Sequence, residues 1–561
     1  MPRIVTRDRD DAVVAGLVAS QIDPRMARLY AARGVRETAD LDLNLAALLP
    51  PATLARIEEA AEFLAAAIAA KRKLLIVADY DADGATACAV GLKGLSAMGA
   101  IVDFIVPNRF TMGYGLTPEI VALASERKPD VLITVDNGIA SVAGVAEAAR
   151  RGIEVLVTDH HLPGDALPDA AVIVNPNQPG DAFPSKSLAG VGVMFYTLLA
   201  LRALLRQRGA FEGATGPNLA ELLDLVALGT VADVVRLDHN NRILVEQGLQ
   251  RIRAGRACPG VVALLRVAGR DPLRATAYDL GFIAGPRVNA AGRLDDMSTG
   301  IACLVARDEA TALRLATELD RLNRERREIE AGMKAGALAG LAEVDVTTQR
   351  TLTLFDPAWH QGVVGLLAGR IKDKAHRPVI AFAPDGQGFL RGSGRSIAGF
   401  HLRDALDLVS KKHPDLIVRF GGHAMAAGLT IRESAFAAFE SAFEAVGNAW
   451  LNESDLALTV ETDGALSANE IDFDFVRTLD KTVWGQGYPP PSFLGSMRVV
   501  DHRVVGEKHA RLKVLMGGVT YEAMRFGSPD KLPAAFDAVY RPTINEFRGT
   551  ATLQLTLDHV A

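Results

Sequence analysis

Cysteine is nearly missing from this chain. Three residues in 561, Cys88, Cys258 and Cys303, lie far apart in apolar or Gly/Pro surroundings. So sparse and odd a count excludes a disulfide framework and points to a reducing compartment. No apolar run approaches the length of a membrane span, which speaks against a membrane protein. The opening stretch, MPRIVTRDRDDAV, lacks the apolar core of a signal peptide, so the cytoplasm is the expected location. A positive excess is missing too: the net charge is −6. Taken alone, that disfavours a nucleic-acid partner, which usually selects a basic surface. A metal site, however, concentrates acids that its cation then neutralises, so a negative net charge leaves such a partner open. Internal repeats and low-complexity tails are absent.

What is present is an ordinary globular composition, 49% hydrophobic and 23% charged. The length exceeds a single hydrophobic core and implies roughly three to five domains. Residues 1–50 read as a helical, lid-like segment ending at Pro50-Pro51. From Lys73 the pattern alternates strands and helices. LLIVADYD, IVDFIVP, VLITVDNG, VLVTDHH and AVIVNP are short apolar runs rich in branched residues, the signature of a parallel sheet covered on both faces. Residues 308–342 form one long charged helix without Pro, a connecting strut. A second α/β region begins at TLTLFDPAWHQGVVG. The last hundred or so residues alternate polar and apolar in five runs, which suits an antiparallel barrel such as an OB-fold.

Within the first region, DYDADG imitates the opening of a calcium loop. It is not an EF-hand. The twelfth position is Val90 rather than a bidentate Glu, and Ala85 and Ala87 hold the seventh and ninth positions. The unit is strand, acidic turn, helix. A helical stretch is expected around Leu219 to Leu228, ending in GTVADVV. Four apolar runs, taken together as strand ends, finish in metal-capable groups: Asp79, Asp81 and Asp83; Asp136; Asp159, His160 and His161; and, after LVALGTVA, Asp233. Parallel strands deliver their carboxyl ends to one edge of a sheet. One Asp at such a position is an ordinary helix N-cap, and His160-His161 alone an ordinary surface pair. Four ends together pack anions that repel unless a cation neutralises them. Carboxylates with an imidazole and no thiolate favour manganese or magnesium over zinc. The number of ligands suits two ions, the arrangement that clamps both oxygens of an in-line phosphoryl displacement.

DHH after a strand, preceded by DYDADG and VDNG and followed by VAD, resembles the four motifs of the DHH phosphoesterase superfamily. GGHAMAAG (Gly421 to Gly428) is similar to the hallmark of its companion DHHA1 domain. With GPRVNAAGRL, WHQGVVG, RGSGRSIAGFHL and a terminal barrel, the resemblance covers nearly the whole chain and reaches the superfamily's single-strand-specific exonucleases. It implies an α/β fold: a DHH domain with a parallel sheet (51–305), a connecting long helix (306–345), a DHHA1 domain (346–450) and an OB-fold-like nucleic-acid-binding domain (451–561).

It further implies hydrolysis of single-stranded DNA from the 5′ end with two Mn2+ or Mg2+ ions, in recombination and repair. A helicase and a single-strand-binding protein would be partners, and the chain a monomer. Asp136 would bridge the ions, with Asp81 on one and Asp83, His160 and Asp233 on the other. Some members carry a His where this chain has Val77, so Asp79 or water would complete the first ion. His161 would face the scissile phosphate, and Asp159 would orient ligands or water.

For the DNA, the GGH turn of Gly421, Gly422 and His423 offers free backbone N–H groups, and GSGRS offers the same kind of nest. The resemblance assigns Ser393 and Arg395 to a 5′-phosphate pocket, approached by Arg109, with Arg287 narrowing the channel. Tyr114, Trp359 and His360 are candidates to stack on bases. For each Arg, a surface ion pair is the plain alternative. Two rival functions stay in view: a small-oligonucleotide phosphodiesterase, which would stop after the DHHA1 unit, and an inactive DNA-binding scaffold, which would have lost metal carboxylates.

Overall fold

A computed structural model describes residues 2–107, 112–211, 215–342, 349–547 and 549–560. The chain divides into two compact units. The larger comprises Arg7–Asn323 and Thr462–Val560, and the smaller is built on Arg324–Glu461 with the first few residues. Among the described residues no helix is long and apolar enough to cross a membrane.

The chain opens with a short strand, β1 (Arg3–Thr6), followed by helices Asp11–Ala19 and Pro24–Ala31. The lid expected over residues 1–50 is not what forms. Met26 and Leu29, on the apolar face of the second helix, are buried in the core of the terminal barrel. Arg33, almost wholly buried, is held there by Asp463 at 2.7 Å. An amphipathic face buried this way ties the segment down instead of leaving it to swing.

Five strands then build a parallel sheet: β2 (Lys73–Ala78), β3 (Ile101–Ile105), β4 (Val131–Val135), β5 (Glu154–Thr158) and β6 (Val172–Val174), in the order β3-β2-β4-β5-β6. The β-branched runs cover both faces. Ile76, Val135 and Leu156 are fully buried, each contributing roughly 1.5–3 kcal/mol. The chain order reverses between β2 and β4, and open α/β sheets bind ligands outside the carboxyl ends at such a point.

Helix Ala82–Ala97 leaves β2 and is almost entirely small residues. A Cβ on Gly91 would stand 2.9 Å from Ile76, and one on Gly94 2.4 Å from Leu198. These glycines let it pack closely against the sheet and against helix Gly190–Gln207. LDLVALGTVA forms helix Leu223–Ala232, not a strand. Short apolar runs are ambiguous by periodicity; here ten residues packed against helix Ala82–Ala97 settle the matter as helix.

A 34-residue helix, Glu309–Ala342, starts in the larger unit and ends in the smaller. The smaller unit is a mixed sheet of β7 (Leu352–Phe355), β8 (Val379–Pro384), β9 (Phe389–Arg395), β10 (Arg419–Gly422) and β11 (Ala426–Arg432), ordered β10-β11-β9-β8-β7. Phe382, Phe400, Phe439 and Phe443 anchor its core. The short β12 (Thr459–Thr462) pairs with β1. The remaining strands, β13 (Phe493–Val505), β14 (His509–Met516), β15 (Val519–Arg525), β16 (Ala535–Phe547) and β17 (Thr550–Val560), close a barrel. The fold is thus two α/β regions joined by a long helix, with a terminal five-stranded barrel.

Candidate metal centre

Each acid of the crevice is held by its own local geometry. Asp81 caps helix Ala82–Ala97: its Oδ1 accepts the N–H groups of Asp83 (2.9 Å) and Gly84 (3.1 Å). Capping occupies that one oxygen. Asp83 is fully buried, and its two oxygens accept from Gly190 (2.7 Å) and Val191 (2.8 Å), the first residues of helix Gly190–Gln207. A helix N-terminus is a natural seat for an anion. Asp136 follows β4 with φ +63°, a left-handed conformation that Asp tolerates better than most residues. Its Oδ1 is buried and accepts no hydrogen bond among the described residues. Asp233 ends helix Leu223–Ala232, so a helix and not a strand delivers it.

His160 draws these groups together. Its Nε2 lies 3.1 Å from Asp136 Oδ1, 3.5 Å from Asp233 Oδ2 and 3.9 Å from Asp83 Oδ2. Two sets of ligand atoms, Asp83, His160, Asp233 and Asp79, Asp81, Asp136, each fit within 4.8 Å. Three glycines leave the room. A Cβ on Gly190 would stand 2.6 Å from Asp136 Oδ1, one on Gly229 2.1 Å from Thr86 Oγ1 and 3.1 Å from Asp83 Oδ1, and one on Gly84 2.7 Å from the Asp79 Cβ and carbonyl oxygen.

The electrostatics fit a cation. Burial, then the Asp81 charge, pushes the Asp83 carboxyl up to about 7. Burial and the charge of Asp83 push Asp136 and Asp233 well above the usual carboxylate range. Carboxyls crowded this way gain from a divalent cation what they lose by repulsion, and an all-oxygen set with one imidazole fits manganese or magnesium.

Asp159 is occupied differently. Its Oδ2 accepts from Ile139 N–H (2.9 Å), and its Oδ1 accepts from the N–H groups of His160 (2.7 Å) and His161 (3.1 Å) and pairs with His161 Nδ1 (2.8 Å). Burial opposes ionisation of Asp159, but the His161 bond and both imidazoles outweigh it and hold its carboxyl below the usual range. Burial likewise opposes the charge on His161, yet Asp159 raises it to about 9. The Tyr114 hydroxyl lies 3.2 Å from His161 Nε2 and 3.4 Å from the Asp136 carbonyl. Its ring meets those of His161 and Tyr80 edge to face.

Several supports escaped the sequence reading. Asn177 Nδ2 donates to the His160 carbonyl (2.6 Å), and Asn175 Nδ2 to the His161 carbonyl (3.0 Å), fixing the DHH turn from the end of β6. Asn289 Oδ1 accepts from Ala82 N–H at 2.8 Å. The signal was available for the first two, since AVIVNPN places Asn at the end of a fifth strand. Nothing local marks Asn289.

The remaining candidates lie elsewhere. Arg109 lies outside the described residues. Arg287 donates to Asp320 (Nε 3.0 Å) and to the Ile283 carbonyl (2.7 Å). Trp359 is buried, and His360 Nδ1 accepts from Gly362 N–H at 3.1 Å. Ser393 and Arg395 sit on one face of β9, with an Arg395 nitrogen 3.4 Å from the Ser393 hydroxyl. GSGRS is not a backbone nest. Residues 392–395 pair with β8 on one side and β11 on the other, so the ladders engage their backbone. Alternation in a strand leaves only side chains to face a ligand there. The GGH segment is also less open than expected. Gly421 and Gly422 pair with Gly428 and Ala427, and the His423 N–H donates to the Ala426 carbonyl at 2.8 Å.

The chain matches the DHH family N-terminal domain over residues 73–230, the DHHA1 domain over 346–448 and the RecJ OB domain over 462–559. It is 49% identical to the single-stranded-DNA-specific exonuclease RecJ of Dickeya dadantii, over 99% of each chain. It is 48% identical to that of Escherichia coli, over 100% of this chain and 99% of the other. Among solved structures it resembles RecJ from Thermus thermophilus in complex with Mn2+, with a TM-score of 0.84 and 31% identity, over 100% of this chain and 79% of the other. The Mg2+ complex gives a TM-score of 0.78 at 29% identity, over 100% and 78%.

Proposed function

The chain belongs to the RecJ family, and from that premise we propose that it hydrolyses single-stranded DNA from the 5′ end. The observation that carries this reading is the crowding of buried carboxyls around His160, raised by burial and by one another. Two ions, Mn2+ or Mg2+, are the cofactors. Asp79 and Asp81 would hold one, Asp83, His160 and Asp233 the other, and Asp136 lies within reach of both sets. When bound, such cations lower the pKa of a water and neutralise charge on a phosphodiester.

The chain's own groups do the rest. Asp83, pinned by a helix N-terminus, and Asp136, in its left-handed turn, hold their oxygens in fixed positions. His161, kept protonated by Asp159, offers its Nε2 proton to phosphate oxygen as negative charge develops. Asp159 fixes the tautomer and ring orientation, the usual service of a carboxylate behind a histidine. Ser393 and Arg395 receive the 5′ phosphate. Gly421, Gly422 and His423 contact the strand through side chain and exposed edge, and the barrel adds further strand binding. Arg287 and Tyr114 line the approach. The reaction serves recombination and repair in the cytoplasm, by a monomer, on strands exposed by a helicase and covered by a single-strand-binding protein.

The test uses one strand labelled at either end, with Mn2+. A 5′ label is released as mononucleotide from the first turnover, while a 3′ label stays on a shortening strand. Chelation stops both. Release of the 3′ label first, or a gel shift without cleavage, contradicts the reading.

A further inference from the structure

Tyr278 and Phe282 are large rings that the fold leaves outside. They are 56% and 67% exposed, yet they stack on each other with centroids 4.9 Å apart and planes 18° from parallel. Single exposed apolar side chains are commonplace, but a stacked aromatic pair turned to solvent is not. The segment bearing Phe282, Asp279–Ala284, is wound as a π-helix. That form is rare, and where it occurs it frequently accompanies function.

The segment is firmly seated. A Cβ on Gly281 would lie 2.8 Å from Val231, and one on Gly285 2.9 Å from Ala232, so it packs on the last turn of the helix that ends at Asp233. Asp279 accepts from the Thr276 N–H and hydroxyl and pairs with Arg270 at 3.3 Å. The next helix, Gly285–Leu294, continues to the metal crevice. Its Asn289 bonds Ala82, and its Gly292 sits beneath the Tyr80 carbonyl. Phe282 is seven residues from Asn289, on the order of 10 Å along a helix at ~1.5 Å per residue. At about 3.4 Å per stacked nucleotide that is roughly three nucleotides. On the barrel side, Arg541, paired with Asp558 at 2.7 Å, is close enough to feel the Tyr278 hydroxyl electrostatically, and Arg274 is paired with Glu546. Flat apolar faces suit a stacked base.

We propose that Tyr278 and Phe282 form a stacking site for a base of the single strand, about three nucleotides from the bond being cut. The proposal rests on the nuclease reading above. It accounts for two large rings left exposed, and it gives the strand a hold between the catalytic sheet and the barrel.

The test compares the full-length protein with Phe282→Ala, Tyr278→Ala and Phe282→Trp, using Mn2+ and 5′-phosphorylated strands. One strand carries a single abasic nucleotide stepped through successive positions, and a dinucleotide serves as a substrate too short to reach the site. The expected result for Phe282→Ala is a KM for the long strand raised about tenfold, with kcat and dinucleotide cleavage unchanged, since a base stacked on an aromatic ring is worth about that factor. Phe282→Trp restores the wild-type KM. The abasic nucleotide weakens the wild type at one position near the third, and Phe282→Ala is blind to it. An unchanged KM in Phe282→Ala, or wild-type sensitivity to the abasic site in that variant, overturns the proposal while leaving the nuclease reading intact. A wild type that cleaves no strand under these conditions removes the nuclease reading itself, and the stacking site with it.

Discussion

Gly84, Gly190 and Gly229, in the parallel-sheet region, stand where a Cβ would strike or crowd Asp79, Asp136 and Asp83. Gly392 and Gly394, in the mixed sheet, stand where one would strike Phe382, Leu429 or Leu402. Both regions carry motifs rich in glycine and both look, as letters, like ligand loops. In the first, the missing side chain at Gly190 makes room for the Asp136 carboxylate, while those at Gly84 and Gly229 let the Asp79 backbone and the Thr86 hydroxyl come close beside the acids. In the second, the missing side chains make room for packing inside a strand paired on both edges. The parallel sheet gathers its acids at strand ends, where backbone is free to turn, whereas a strand face in the mixed sheet offers a ligand only every second side chain. A glycine therefore marks function only once the group that would occupy its Cβ position is known.

The largest effect expected falls on the shared carboxylate. Asp136→Asn should lower Mn2+-dependent hydrolysis by roughly a thousandfold or more, because a lost ligand removes several kcal/mol of charge stabilisation. The metal-free variant should melt no lower than the wild type, since one source of repulsion is gone. Steady-state kinetics and a melting curve without metal check both halves.

Gly190→Ala separates the two kinds of glycine. Its new methyl meets Asp136 Oδ1 at 2.6 Å, so activity should fall about ten- to a hundredfold, with weaker Mn2+ binding by titration, as for a displaced supporting group. Gly392→Ala should do the reverse. Its methyl meets Phe382 at 2.5 Å and Leu429 at 2.6 Å, and overpacking should destabilise by about 1–3 kcal/mol in denaturant with kcat nearly unchanged. Equal loss of activity in both variants breaks the comparison.

The smallest effect is a pH dependence confined to the acidic region. The Asp83 carboxyl rises on folding to about 7, so its contribution to stability is complete below an ordinary carboxylate pKa and is lost as pH climbs through 7. His161, raised to about 9, likewise contributes fully below an ordinary imidazole pKa and is lost as pH climbs through 9. The metal-free protein should therefore melt a few degrees lower at pH 8 than at pH 5 on account of these groups. Mn2+ needs the carboxylates ionised, so the stabilisation it brings should be slight at pH 5 and grow toward pH 8. Melting curves across pH, with and without Mn2+, check this.

Much of the acidic region was legible in the sequence because parallel strands make it so. LLIVA, VLITV and VLVT announce buried strands, and whatever follows each one reaches the same edge. Asp233 was legible as a ligand candidate but not in its setting, because a ten-residue apolar run reads as strand or helix until its packing is known. Asn289 could not have been foreseen, since its bond to Ala82 spans 207 positions and depends on how two helices meet. The backbone nest expected at GSGRS failed because β8 and β11 engage both edges of its strand, whereas Gly421 and Gly422 of GGH lie in β10, the outer strand of the sheet, which β11 pairs on one edge. The exposure of Tyr278 and Phe282 is a property of the assembled fold alone.

The central claim is that acids and an imidazole from separate turns gather around a pair of cations. Anomalous scattering from a crystal of this protein grown with Mn2+ tests it most directly. Two peaks should appear, with Asp136 touching both, Asp83, His160 and Asp233 on one side and Asp79 and Asp81 on the other. A single peak without Asp136, or ions bound away from these residues, would contradict the account.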